Sequence, residues 1–223
     1  MNVLSVQLND YTAKDAMKVI TEYMETETVN TVEIVTADIL MRVAQTEGLK
    51  ENIEQLDMVL AGDEAILEAV GIEEKKKLQE AHNRVFMKMV LHYFHKSHRK
   101  LFILADSVEE AGNLKRYLQE EYGAVEVAGT AVVPNDESAD DMITNQINGA
   151  EVDCILASLG TPKQEEFIAR CKNVLSARLW LGIGRETALF PKKENWMESL
   201  RDFFERKILK REMEKEKKKT GIL

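Results

Sequence analysis

Asp153-Cys154-Ile155-Leu156-Ala157-Ser158-Leu159, then Gly160-Thr161-Pro162-Lys163-Gln164-Glu165, then, past a helix-like run over 166–175, Ala177-Arg178-Leu179-Trp180-Leu181-Gly182-Ile183-Gly184: this stretch decides the fold. It reads as strand, glycine loop, helix, strand, glycine loop. A short apolar run closed by turn residues suits a strand buried in a parallel sheet. A glycine just past its end lets the backbone turn sharply and lets a ligand approach. In open α/β sheets ligands sit beyond the carboxyl ends of the strands, and both glycine loops fall there. Gly160 to Glu165 is therefore the first place to look for chemistry.

Upstream, the same alternation repeats. Residues 3–8 suit a short strand. Residues 12–24 carry Ala13, Ala16, Met17, Ile20 and Tyr23 near a 3.6-residue period, and 32–43 resume a helical pattern through Ile34, Val35, Ile39 and Leu40, with Gly48 as a stop. A strand over 56–61 precedes Gly62-Asp63, and a helix over 65–70 ends at Gly71. Residues 73–98 read as one long helical run or two, whose apolar stripe (Val85, Phe86, Met89, Val90, Phe94) is core packing. A strand over 100–105, a helix over 108–122 opened by Asp106-Ser107, a strand over 125–128 and a helix over 138–147 follow. Strands that alternate with helices call for an α/β fold, a doubly wound, mostly parallel, Rossmann-like sheet with helices on both faces. The pattern changes after Gly184. The expected division is an α/β domain over 1–190 and a C-terminal amphipathic helical appendage over 191–223.

The chain has 223 residues and a formal net charge of −9. That is enough for one substantial core, and the acidity argues against a general nucleic-acid binder. From Arg206 onward Lys and Arg concentrate. No run of about 18 apolar residues occurs, and the first residues lack the basic-then-apolar order of a secretory leader, so a cytoplasmic protein is expected. Cys154 and Cys171 show no metal-ligand spacing. His92, His95 and His98 share a spacing of three but lack the carboxylate or cysteine company of a metal site.

Pro162 suits the first turn of a helix because it has no amide hydrogen to lose. The free amides of that turn favour a phosphate, Lys163 adds a positive charge, and Gln164 offers both donor and acceptor to a sugar or base. An ordinary helix start with solvated polar residues is the plainer reading of the same residues. Asp63, at a strand end, is a candidate general base; a helix-terminal aspartate favoured by the dipole is the more common role.

Ile147-Asn148, Asp153 to Leu156, Gly160-Thr161-Pro162-Lys163-Gln164-Glu165 and Gly182-Ile183-Gly184, at these spacings, resemble the WecG/TagA/CpsF glycosyltransferases. Thr28-Val29-Asn30 is similar to the family's Thr-x-Asn entry. The resemblance implies transfer of a sugar, N-acetylmannosamine-type, from a UDP-sugar donor to a polyprenyl-diphosphate-linked or other hydroxyl acceptor in cell-surface polysaccharide synthesis. It implies an inverting reaction with no metal and no cofactor, with an aspartate as base. Carried over residue by residue, Asp63 and Gln164 would be catalytic. Thr28, Asn30, Gly160, Pro162, Lys163, Glu165, Gly182 and Gly184 would bind substrate. The tail, with Trp196, Phe203 and Phe204 beside Arg206, Lys207, Lys210 and Arg211, would rest on the inner face of the membrane or pack as a charged helix on the core or a partner. A homo-oligomer is compatible with all of this. The sequence also departs from the family. Gly62-Asp63 stands where the family has Asp-Gly, and His82-Asn83-Arg84 where it has Gly-x-Asp. Ala105-Asp106 replaces a glycine, and Arg185-Glu186 follows Gly184. A second expectation follows from these changes: a member that kept the fold, lost the transferase site and serves as a nucleotide-sugar-binding or regulatory module.

Overall fold

The computed structural model describes residues 1–43, 45–123, 125–185, 207–215 and 218. Its elements, in chain order, begin with a small hairpin, β1 (Asn2–Val3) and β2 (Val6–Gln7). There follow α1 (Ala13–Tyr23), β3 (Asn30–Val35), α2 (Ala37–Val43), α3 (Leu49–Glu54), β4 (Met58–Ala61), α4 (Glu64–Ala69), α5 (Lys75–His82) and α6 (Val85–Lys96). The second half runs β5 (Lys100–Ala105), α7 (Val108–Tyr122), β6 (Glu126–Val132), α8 (Asp140–Gly149), β7 (Cys154–Ser158), α9 (Lys163–Cys171) and β8 (Leu179–Gly182).

Six strands form one parallel sheet in the order β4-β3-β8-β7-β5-β6. The stretch 153–184 supplies its two central strands, β7 and β8, which pair from Cys154 opposite Leu179 to Ala157 opposite Gly182. Both are buried at every position, which is why their sequences run apolar rather than alternating.

Helices cover both faces. On one face α1, α6 and α7 pack Ile20, Leu91, Phe94 and Leu114 onto Val32, Leu101, Leu156 and Leu181. The other face holds two apolar clusters. In one, α8 and α9 pack Ile147 and Phe167 against Ile155 and Trp180; in the other, α2, α3 and the β1–β2 hairpin enclose Val35 and Val59. The expected doubly wound α/β fold is the fold found. Local chemistry explains the helix starts: Thr12 Oγ1 accepts the Asp15 amide at 3.2 Å to open α1, and Ser107 Oγ accepts that of Glu110 at 3.1 Å to open α7.

Two of the expected elements are corrected by the structure. The helix expected over 32–43 is instead β3 followed, after Thr36, by α2. A central strand covered on both faces needs no polar alternation, so Ile34, Val35, Ile39 and Leu40 imitate a helical period. The β-branched run Thr31, Val32, Ile34, Val35 was the better signal. The strand expected over 125–128 extends through Val132 as an edge strand. The run 73–98, read as one helix or two, is two, broken where Arg84 takes a left-handed φ of 53°.

Residues 207–215 are helical, and Leu209 and Met213 are buried against the α2–α3 cluster. This part of the tail packs on the core. Trp196, Phe203, Phe204 and Arg206 lie outside the described residues. Among the described residues no helix is long and apolar enough to cross a membrane.

Candidate functional site

The chain leaves β3 toward β4 at one edge of the sheet and leaves β5 toward β6 at the other. Helices that depart in opposite directions open a crevice beyond the carboxyl ends of the strands. The crevice has a volume of about 510 Å³. It collects Thr36 after β3, Asp106 after β5, Asn135 after β6, Gly160 after β7 and Gly184 after β8, with Asp38 and Arg42 from α2 and Lys163 and Glu166 from α9. The glycine loops singled out in the sequence therefore meet in one place.

At the centre of the crevice sits Asp106, its side chain only 5% exposed. Its Oδ2 accepts the Gly160 amide at 2.8 Å and the Arg185 guanidinium through Nη2 at 2.6 Å and Nε at 3.0 Å. Its Oδ1 accepts Lys163 Nζ at 2.7 Å, and Lys163 also donates to the Val133 carbonyl at 3.0 Å. Burial pushes the Asp106 carboxyl up, but Lys163, Arg185 and the Gly160 amide together outweigh it and hold the group below the usual carboxylate range. Gly160 favours this close approach: a Cβ on it would stand 3.2 Å from Asp106 Oδ2, a tight contact. Asp106 looked like a cap residue in the sequence, and neither Asp106 nor Arg185 was expected in the site. The signal for both was their position, Asp106 directly after β5 and Arg185 three residues past the end of β8.

Beneath the loops runs a buried polar seam. Gln164 and Glu165 are fully buried. Gln164 Oε1 accepts the amides of Leu159 at 3.4 Å and Gly184 at 3.2 Å, and so ties the two glycine loops together. Its amide nitrogen lies across Gly182, where a Cβ would come within 2.8 Å of it; this close approach is why position 182 is glycine. Thr161 Oγ1 donates to Glu165 Oε1 at 2.9 Å. Glu33, from the middle of β3, is also fully buried, facing Glu165 and Gln164 at a geometry short of a regular hydrogen bond. Burial, and then the neighbouring Glu165, raise the Glu33 carboxyl well above its ordinary range. Gln164 and Glu165 thus shape the loops from below, while Gly160, Pro162, Lys163 and Gly184 line the crevice itself. Pro162, preceded by a cis peptide bond, occupies the N-cap position of α9.

The remaining expected residues, Asp63, Thr28 and Asn30, are not among those that line the crevice. Asp63 caps two helices: its Oδ1 accepts the Ile66 amide at 3.1 Å and its Oδ2 the Ala37 amide at 3.0 Å. Gly62 before it leaves no room for a side chain, since a Cβ would meet an Ile34 methyl at 2.8 Å and the Val35 carbonyl oxygen at 3.0 Å. Thr28 and Asn30 stand at the amino end of β3, a strand length of roughly 17 Å from the crevice. Thr28 is exposed there, and Asn30 Nδ2 donates to Thr26 Oγ1 at 2.5 Å and to the Arg178 carbonyl at 3.1 Å, fastening the α1–β3 turn to the start of β8. These two residues do not line the crevice. A lone Thr-x-Asn carries no register, and the threonines that line the crevice are Thr36 and Thr161. Cys154 and Cys171 are free and buried. Among the described residues no three His, Cys, Asp or Glu side chains gather where a metal ion would be held.

Known proteins bear on this geometry. The sequence model of the glycosyl transferase WecG/TagA/CpsF family matches residues 1–190. A Staphylococcus aureus (strain MRSA252) N-acetylglucosaminyldiphosphoundecaprenol N-acetyl-beta-D-mannosaminyltransferase is 23% identical over 193 residues, which span 85% of this chain and 75% of the relative. Its counterpart from strain NCTC 8325 / PS 47 is 22% identical over 192 residues, with the same coverage. The match spans the whole sheet and every loop of the crevice, and this chain belongs to the WecG/TagA/CpsF family of glycosyltransferases.

Proposed function

We propose that the protein is a glycosyltransferase whose crevice takes a UDP-sugar, N-acetylmannosamine-type, and passes the sugar to a hydroxyl of a polyprenyl-diphosphate-linked acceptor in cell-wall polysaccharide synthesis. One observation carries this reading: the Gly160 amide, Lys163 and Arg185 converge at the carboxyl end of the sheet, a donor set suited to a diphosphate. The names of the Staphylococcus aureus relatives support the lipid-linked acceptor and the sugar. Lys163 and Arg185 would neutralise charge as the diphosphate leaves, while the Gln164 strut keeps the two loops in register. Asp63 serves as the base only if it releases the amides of Ile66 and Ala37 when substrate arrives. The tail helix seated on the α2–α3 cluster brings Lys207, Lys210 and Arg211 to one region of the surface, which supports peripheral contact with an anionic membrane from the cytoplasmic side.

A second reading, a binding or regulatory module without transfer, is favoured by the capping of two helices by Asp63. One experiment separates the two. Purified full-length protein is given UDP-N-acetylmannosamine and polyprenyl-diphosphate-linked N-acetylglucosamine, and transfer is measured for the wild type and for Asp63→Asn. Asparagine still caps a helix, so the variant folds. Loss of a general base lowers the rate by about a hundredfold or more. Equal rates remove Asp63 from the chemistry, and no transfer or donor hydrolysis by folded wild type leaves the module reading.

A further inference from the structure

The donor set at the Gly160 loop is already filled by the protein's own anion. Asp106 receives one backbone amide, one ammonium and both arms of one guanidinium. A phosphate oxygen arriving at the loop meets the same four donors. The lining of the crevice shows the same balance. Its acidic side chains are Asp38, Asp106 and Glu166, and its basic ones are Arg42, Lys163 and Arg185. Asp38 and Arg42 pair with each other at 2.9 Å, so they lend little to an incoming ligand. Arg185 is shared further with Glu110 at 3.5 Å. Among the described residues the lining carries no surplus positive charge with which to draw in a diphosphate.

We infer that Asp106 is a resident anion that sets the charge of the ligand group accepted at the Gly160 loop, admitting a phosphate only in exchange for its own carboxylate. The exchange is opposed in two ways. The displaced carboxylate loses four hydrogen bonds in a place where it is almost fully buried. It also stays attached two residues before α7, close to the incoming negative charge. Wild-type protein therefore binds diphosphates weakly for a site with this donor set, and neutral parts of a ligand are unaffected. The inference rests on the reading of the crevice as a nucleoside-diphosphate site for the identity of the anion, not for the existence of the donor set.

The test is calorimetric titration of full-length wild type and Asp106→Asn with inorganic pyrophosphate, UDP and uridine at one fixed ionic strength. Asparagine keeps the shape and an acceptor for the Gly160 amide while removing the charge. Asp106→Ser carries the same expectation should the asparagine variant unfold. Pyrophosphate and UDP are expected to bind the variant at least tenfold more tightly than wild type, with uridine unchanged. Pyrophosphate binding that is equal, weaker or absent in the folded variant overturns the inference. If pyrophosphate tightens but neither protein binds UDP better than pyrophosphate, Asp106 has the role assigned and the nucleotide reading falls. If wild type binds UDP as tightly as the variant does, the nucleotide reading stands and the role of Asp106 falls.

Discussion

Replacing Gln164 by alanine distinguishes a strut from a substrate contact. In the structure the side chain is fully buried and accepts the amides of Leu159 and Gly184. Truncation leaves both amides without a partner. An unsatisfied buried donor costs about 1–3 kcal/mol, and bonds as long as 3.2 and 3.4 Å belong at the low end, so the pair contributes about 2 kcal/mol. The missing atoms leave a hole over Gly182 and beside Glu33, and a truncation of this size costs about 2 kcal/mol at the low end of core substitutions. The sum, about 4 kcal/mol, is a large part of the 5–15 kcal/mol that holds a typical domain folded. At about 2–4 °C per kcal/mol for a chain of this size, the melting temperature falls by about 8–16 °C. Thermal unfolding followed by circular dichroism, with urea denaturation alongside, reads the effect. Ligand affinity falls as a consequence, because the two glycine loops lose their tie. A variant that melts within about 2 °C of wild type while losing ligand binding would refute the strut and return Gln164 to the substrate.

Gly182→Ala places a Cβ 2.8 Å from the same Gln164 amide and should cost about 1–3 kcal/mol by overpacking, read as a lower urea midpoint with an unchanged slope. Asp63→Ala removes one carboxylate from two helix starts and should destabilise by about 1–2 kcal/mol, whereas Asp63→Asn loses much less; equal losses would contradict the capping geometry. Glu33 is protonated in the folded chain at pH values where the unfolded chain, near 4.5, has lost its proton. Its contribution is therefore complete below about pH 4.5 and declines as pH rises above that. Glu33→Gln should remove that decline, so the stability of the variant relative to wild type rises with pH by up to about 1.4 kcal/mol per unit until Glu33 itself ionises. Parallel stability–pH curves for the two proteins would rule this out. Leu209→Ala, in the tail helix, should lower stability by about 2 kcal/mol or more because its side chain is fully buried on the α2–α3 cluster; no change would detach the tail from the core.

The sequence by itself determined the alternation of strand and helix, and with it the parallel sheet. Cys154–Ser158 and Leu179–Gly182 are short apolar runs closed by glycine loops, and such runs have few other uses. It also determined where the loops would gather, because parallel strands put all their carboxyl ends on one side. The family was legible in the Gly160 to Glu165 run for the same reason: the spacing is local and the residue types are unusual together. What failed depended on contacts between distant residues. Thr28-Val29-Asn30 matches a pattern of residue types, but only the pairing of β3 with β8 puts it at the wrong end of the sheet. Gln164 reads as a free polar residue at a helix start until β8 is laid beneath it and Gly182 makes room. Asp63 faces two helix starts because α2 and α4, distant in sequence, begin side by side. Asp106 resembles any cap residue until Gly160, Lys163 and Arg185, each more than fifty positions away, close around it. Local order in the chain fixes periodicity and turns. The charge state and direction of a side chain follow from its neighbours in space, and tertiary structure alone chose those.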